Sequence, residues 1–533
     1  MNRINKICTA CLLSFVLLIY GFPAQAGTTT AQAQSLSLSP NIPIDIPITQ
    51  QREKKLLNNN FPLLQRIFDV FSWQSFIAFN WPVDSEGNPL PEITDSGTPE
   101  WQTWKESLQV FRPDGGDPMQ DTPRRCDNNP GNMRELYVTS SIFSNTVDQN
   151  IADEVDQAFT SPLYDQNGKE VRYEIFINDE EYNYIVDNKL YNLDGQIAYS
   201  QNSHLPVNFP TGDNATGEVG VIELKLAWKE LNIDDRSLPH LDIPSRFYTE
   251  TVLLPDLDDN GEPILDRNGN FKNCEEKQMG LVGMHISHKT KSSPQWIWAT
   301  FEQVDNLDVN DLESVNGRPL YPLFHDYSAA GQTLPVNVPP IPRDIKTGKP
   351  DISGMKRTQV SRPIPIPKAK QQLNEQAQGI LAAVSSPLQY YELIDTQWPT
   401  APLPTDKCRF PTDSCYAAVP GNPSPDNLPE GITRKSTGSP APVYLTNSIM
   451  ETYFQTGNQE AHFQENGFPF DNTQVFGTES CMACHFSAGI ATGYITKNTN
   501  GHSTKVPVFG GDLSADFSWL PQLKAQFMKR NSQ

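Results

Sequence analysis

The sequence predicts an α+β protein: a β-rich antiparallel body with N-terminal helices, plus a small, mainly helical C-terminal segment. Three observations carry this expectation. Residues 61–81 repeat apolar side chains at helical spacing, and the centre of the chain alternates apolar and polar residues between Asn-Gly turn signals. Residues 443–533 return to helical periodicity. A chain of 533 residues suggests two to four domains at roughly 150 residues each, with ample length for a core. Its formal net charge of −22 argues against a nucleic-acid surface reader. With 45 Pro and 32 Gly the chain is rich in loops, while 26 Phe, 17 Tyr and 9 Trp argue for a folded globule. Long helical bundles, coiled coils and multi-span membrane proteins are excluded.

Residues 1–26 read as a signal peptide. Arg3 and Lys6 form a positive start, Cys11 to Tyr20 an apolar run too short to cross a bilayer, and Ala24-Gln25-Ala26 an A-x-A cleavage site before Gly27. No later stretch approaches about 20 apolar residues, so no transmembrane segment is expected. The mature chain is expected to be exported, periplasmic or otherwise outside the cytoplasm, and acidic. Residues 27–60, rich in Ser, Thr, Gln, Pro and Asn, read as a flexible arm.

A mixed α/β body is expected over 61–398. Phe61 to Trp81 places Leu64, Phe68, Phe71 and Ser75 on one helical face, and Trp101 to Phe111 reads as a second short helix. Ile222, Leu224, Leu226 and Trp228 alternate with Glu223, Lys225 and Ala227, the pattern of a half-buried strand. Arg246 to Leu254, Met279 to His288 and Trp296 to Phe301 continue it, with Trp296 and Trp298 on one face. Asn167-Gly168, Asn260-Gly261 and Asn268-Gly269 are hairpin turn signals. Asp256 to Gly261 resembles the start of an EF-hand loop, but Arg267 stands where calcium needs a bidentate Glu, so a solvated hairpin loop is the better reading. Arg343 to Lys370 holds eight basic and two acidic residues: a Pro-rich surface linker, or a patch for docking an acidic redox partner or for lying near haem propionates. Pro399 to Pro442, with ten prolines, reads as a linker before the final segment.

The chemistry is carried by Cys481-Met482-Ala483-Cys484-His485, the C-x-x-C-H attachment signature of c-type haem. Two thiols three positions apart add to the two vinyl groups of one porphyrin, and the adjacent imidazole falls beneath the iron. In a chain of this composition the pattern arises by chance roughly 0.002 times. A thioredoxin-type redox pair would sit at a strand–helix junction in a βαβ unit, which is not visible around residue 481. A zinc site would need Cys408 and Cys415 as its second pair, and their spacing is not that of a knuckle. Cys408 and Cys415 are expected to close a small loop, leaving Cys126 and Cys274 as the other pair; four cysteines allow three connectivities.

The chain thus resembles the c-type cytochromes, strictly over Cys481, Cys484 and His485 and loosely over the final segment. There Thr446 to Thr456 and Asp516 to Phe527 read as flanking helices. It departs from the class I pattern in two respects. About two dozen residues separate the first helix from the motif, and no Met lies between His485 and Met528. The chain also resembles a group of exported bacterial monohaem cytochrome c family proteins of about this length. It carries their runs at Trp73 to Pro82, Val282 to Thr290, Trp296 to Glu302 and Asn447 to Gln455. The resemblance implies one covalent haem c bound by Cys481 and Cys484, iron held by His485, and single-electron transfer with a redox partner protein. The second axial position has Met450, Met528, Met284, His285, His288 and Lys289 as candidates, with His462 and His502 more remote. In a regular strand His285 and His288 face opposite sides. About 400 residues beyond an electron shuttle's needs keep other readings open: a haem-dependent oxidoreductase, peroxidase- or oxygenase-like, with His285 or His288 as distal acid/base, or a haem-based sensor or binding protein.

Overall fold

The computed structural model describes residues 36–112, 114–118, 126, 129, 133–136, 163–203, 206–255, 264, 266, 271–308, 314–338, 357–402, 438–455, 480–499, 502–510 and 514–528. The expected leader and its expected cleavage site lie outside the described residues. So do the turns at 260–261 and 268–269, the start of the EF-hand-like loop, residues 343–356, Cys408, Cys415 and His462.

Two helices open the fold. Gln50–Asn59 (α1) starts where the Thr49 hydroxyl accepts from the Arg52 amide at 3.3 Å. The expectation of a flexible arm to residue 60 is corrected here. Ile46 and Leu56 are buried against Leu64 and Phe68, so a polar-looking stretch still carries enough apolar anchors to pack. Phe61–Phe79 (α2) begins with Asn60 capping the Leu63 amide and Pro62 in the first turn. It is buried nearly all round. Phe68 stacks on Trp398 at 4.1 Å, and Phe76 stacks on Phe301 at 4.3 Å.

The expected helix over 101–111 is broken. Glu100–Thr103 is a 3-10 turn and Ser107–Val110 a single helical turn, because Lys105–Glu106 (β1) is drawn into the sheet opposite Ile177 and Phe176. The sheet has eight strands: β1, Arg172–Ile177 (β2), Ile222–Glu230 (β3), Thr249–Leu254 (β4), Glu275–His288 (β5), Ile297–Gln303 (β6), Tyr391–Pro399 (β7) and Pro440–Ala441 (β8). Its order is β8-β7-β6-β5-β3-β2-β1, with β4 beside the first half of β5, and every pairing is antiparallel. This is the β-rich antiparallel body of an α+β protein. The Cys126–Cys274 disulfide is formed.

The pleat divides the sheet into two faces. Leu224, Leu226, Met284, Ile286 and Phe301 point to α2 and to Lys368–Ala383 (α5), forming the main core with Trp73, Phe76, Leu373 and Leu381. Two further helices, Asp179–Asp187 (α3) and Leu193–Ser203 (α4), lie between β2 and β3 in sequence. The second face carries Glu223, Lys225, Ser287, His285, Trp298 and Thr300. Alternation assigned that face of β3 to water, yet Glu223 is buried and Lys225 half-buried, because the C-terminal segment covers it.

Among its described residues that segment is not mainly helical. Cys481–His485 (α6) and Leu520–Lys524 (α7) are five residues each, and between them Ala491–Thr499 (β9) and His502–Phe509 (β10) form a hairpin. β9 carries Thr, Tyr and Ile and β10 carries Thr, Val and Phe, which suits a pleated surface. Of residues 446–456, expected as a helix, the described 446–455 form a turn and a 3-10 piece at Thr452–Phe454, because the Asn447 side chain accepts from the Ile449 and Met450 amides. The other expected helix starts only at Leu520: Asp516 and Phe517 adopt φ of 51° and 71°, incompatible with a right-handed helix. Among the described residues no helix is long and apolar enough to cross a membrane.

Two cations of the basic stretch are internal. Lys370 is buried between Asp69 and Asp395, and Arg362 pairs with Glu302 and Glu392. They balance buried carboxylates of the body, so neither belongs to a docking patch.

Candidate functional site

Helix α6 is one turn long and its sides have different tasks. Met482 and Phe486, four apart, are buried with Trp298 and Phe517. Cys481, Cys484 and His485 are left half-buried on the remaining surface. The helix is seated by Gln397 of β7. Its Oε1 accepts from the Met482 amide at 2.7 Å, and its Nε2 donates to the Pro442 carbonyl at 2.6 Å. Both cysteines are thiols. Burial, then the nearby Glu451 charge, pushes the Cys481 thiol well above its usual range.

His485 is fixed from behind. Its Nδ1 donates to the Phe517 carbonyl at 2.7 Å, which places the ring proton on Nδ1 and leaves the Nε2 lone pair available. Burial pushes its pKa down to about 4, against the pull of the Phe517 carbonyl, so the imidazole is neutral at pH 7. Trp298 lies against it, ring centres 4.5 Å apart. Phe517 belongs to a strap, residues 516–518, in which two consecutive non-glycine residues hold left-handed backbone at about 1–2 kcal/mol each.

Facing the motif, the sheet supplies a polar row. Lys225 of β3, His285 of β5 and Thr300 of β6 are register partners across three strands. His285 Nε2 lies 3.3 Å from Glu451 Oε2. Burial raises the Glu451 carboxyl, but His285 and Lys225 outweigh it and hold it below its usual range. Burial lowers Lys225, against the attraction of Glu451, and its ammonium lies 5.2 Å from the Tyr173 ring centre.

Glu451 is delivered by the 447–451 turn, which is bolted to the sheet. Asn447 Nδ2 donates to Thr300 Oγ1 at 2.8 Å and to the Phe301 carbonyl at 3.1 Å. The Ser448 amide donates to Glu302 Oε1 at 2.7 Å and its hydroxyl to Glu302 Oε2. Tyr173 donates to the Ile449 carbonyl at 2.8 Å. Met450 passes so close over Gly283 that a Cβ there would lie 3.2 Å from its Cε. Three of the four sequence runs quoted above therefore meet at one place: 282–290 and 296–302 as adjacent strands, and 447–455 across them. The fourth, in α2, packs on the opposite face.

The candidates for a second axial position separate cleanly. His285 and Met450 lie on the site face. Met284 and His288 point the other way, Met284 towards Asn80 and His288 against the Phe71 ring at 5.4 Å. Lys289 is buried in an ion pair with Asp516, and Met528 is 55 % exposed. Of His462 and the His502 side chain nothing is described. Among the described residues no three His, Cys, Asp or Glu side chains converge to hold a bare metal ion.

The sequence did not point to Glu302, Asn447, Glu451, Gln397 or Phe517. Only Glu302, Asn447 and Glu451 carried a hint, inside the 296–302 and 447–455 runs.

Comparison of the chain with protein-family models, with curated proteins and with solved structures returns no match.

His288 permits a sharp test of the packing. It is fully buried, and among the described residues neither ring nitrogen has a hydrogen-bond partner. Burial lowers its pKa from 6.5 to about 3. The unfolded chain therefore takes up a proton below pH 6.5 that the folded chain refuses, so stability is lost as pH falls. At pH 5 the loss amounts to about 2 kcal/mol. Denaturant unfolding at pH 8 and pH 5 is expected to show that His288→Leu loses about 2 kcal/mol less than the parent protein. Equal losses would mean that water reaches the ring.

Proposed function

We propose that the chain is an exported monohaem c-type cytochrome that carries haem c covalently and transfers single electrons with a redox partner protein. The observation that carries the reading is the donor set on α6: two half-buried cysteines on one side of a single turn and a neutral imidazole anchored through Nδ1. These residues fit the group. Cys481 and Cys484 would form the thioether links, and His485 Nε2 would hold the iron. Haem c, when bound, supplies a one-electron couple whose potential is tuned by burial, hydrogen bonds and axial ligands.

The chain's own residues account for orientation. The Phe517 carbonyl fixes the His485 tautomer and ring plane, and Trp298 limits tilting. His285 and Met450 are the candidates that share the face with the motif. A redox C-x-x-C is less well supported, since such a pair needs a thiol pushed down and Cys481 is pushed up. The Cys126–Cys274 disulfide agrees with an oxidising compartment, as does the leader sequence.

A second reading, a haem-dependent oxidoreductase, is favoured by the His285–Glu451 contact beside Lys225, because a carboxylate-paired histidine is a competent acid/base.

The test is expression with a cytochrome c maturation system, followed by mass and visible spectra, reduced and oxidised, and a pyridine haemochrome assay. The mature protein is expected to be coloured and heavier by one haem. Cys481→Ala with Cys484→Ala is expected to yield the bare polypeptide mass. A parent protein that stays colourless at the unmodified mass would end the proposal. A six-coordinate low-spin spectrum indifferent to carbon monoxide and peroxide favours the carrier; a five-coordinate high-spin spectrum that responds to them favours the enzyme.

A further inference from the structure

Behind His485, on the side away from the thiols, four ionisable side chains are sealed from water. Glu181 of α3, Asp516 and Lys289 are fully buried, and Glu223 of β3 is 8 % exposed. Lys289 is committed to Asp516, whose Oδ2 also accepts from the Phe209 amide at 2.7 Å, and to Asn208 Oδ1 at 2.9 Å. The remaining two carboxyls, Glu181 and Glu223, are set side by side: Ile177 of β2 is the register partner of Glu223, and the Asn178 side chain accepts from the Glu181 and Ile222 amides. Among the described residues Glu181 Oε1, Glu181 Oε2 and Glu223 Oε1 are buried with no hydrogen-bond partner, and Ser518 lies near Glu223.

A buried carboxylate with no donor facing it is costly, and two side by side cost more. Burial without donors therefore implies at least one proton on the pair, in a place where a second charge is unfavourable. Burial pushes both groups up, Glu181 furthest, with its partner and then Asp516 adding to the shift. The titratable and charged groups facing the pair are Asp516 and Lys289, and Tyr184 of α3 faces Asp516.

The pair is wired to the imidazole through three consecutive residues. Asp516 is clamped by Lys289, the Phe517 carbonyl accepts from His485, and Ser518 lies near Glu223. The strap has left-handed backbone at its first two positions, so it holds a conformation imposed by these contacts.

We propose that Glu181 and Glu223 form a proton site linked through the 516–518 strap to the charge on the centre held by His485, an inference that rests on the haem reading above. One electron, delivered by a one-electron reductant that is itself oxidised by one, lowers the positive charge beyond the strap. One proton from solvent then forms a second O–H bond within the pair. No other bond forms or breaks. Linkage makes the coupling reciprocal: a proton on the pair favours the reduced state as much as reduction favours the proton.

The test is spectroelectrochemical titration of the holoprotein between about pH 5 and pH 9. Over part of that range the reduction equilibrium constant is expected to fall up to tenfold per pH unit, 59 mV for a one-electron couple. Glu181→Gln and Glu223→Gln are expected to flatten that slope while the pyridine haemochrome spectrum is unchanged. Reduced-minus-oxidised infrared spectra of the parent protein add a measurement that needs no variant: the carbonyl band of protonated carboxyl is expected to grow on reduction. A potential independent of pH, a slope that survives both substitutions, or a carbonyl band equal in both states would overturn the proposal. Failure of the haem reading is distinct, since the protein would then be colourless.

Discussion

Glu302→Ala is expected to lower the unfolding free energy by about 3–5 kcal/mol. Its side chain is fully buried on β6 and binds three donors: the Ser448 amide, the Ser448 hydroxyl and Arg362 at 2.9 Å. Removing it leaves the largely buried Arg362 guanidinium with its longer contact to Glu392 and strands two polar groups of the 447–451 turn, and unmade buried bonds cost more than made ones return. The loss has a local signature. Glu451 rides on that turn, so amide hydrogen exchange at 447–452 is expected to accelerate well beyond that of α2, which Glu302 does not touch. Uniform acceleration throughout the chain would mean that Glu302 supports the sheet and not the turn.

Lys229→Met is expected to cost a similar amount, about 3–5 kcal/mol. Its ammonium sits between Asp165 at 2.8 Å and Asp242 at 2.6 Å, with all three side chains at most 3 % exposed. Methionine fills the space of the stem but leaves two facing carboxylates without a cation. Combining Lys229→Met with Asp165→Asn and Asp242→Asn removes the charges together, and is expected to recover most of the lost stability in denaturant unfolding. A triple variant as unstable as the single one would show that packing of the lysine stem, and not its charge, is what counts.

The elements legible in the sequence are those with a strong period. The helix at 61–79, the strand at 222–230 and the run ending at His288 all follow from the spacing of apolar residues, and the opposed placement of His285 and His288 follows from the strand period alone. What a period cannot say is what covers each face. Glu223 and Lys225 read as a solvent side because polar residues alternated with apolar ones. In the folded chain the same alternation separates a hydrocarbon core from a polar face buried under residues 447–451 and 480–486. The arm failed for a related reason: a few anchors, Ile46 and Leu56, suffice to dock a stretch whose average composition is polar.

Of the site, the thiols and His485 were legible because their chemistry needs a fixed local spacing. Glu451 and Glu302 were not, since nothing in the sequence ties a glutamate near residue 450 to a histidine at 285. Their relation exists only through the register of β3, β5 and β6. The C-terminal helices were over-read: Asn447 uses its side chain to end the first, and the left-handed pair Asp516–Phe517 delays the second. Both interruptions lie at contacts that build the site.

The two ends of the large sheet have a consequence for the protein at high concentration. β1 and β8 are two residues each, and Pro440 of β8 lacks an amide hydrogen. The outer edge of β4 is already taken by residues 134–136, through bonds of 2.9 and 3.0 Å to Leu253. A foreign strand arriving at β1, β8 or the covered edge of β4 finds only a short ladder to extend, a local guard against fibrillar stacking in a crowded space.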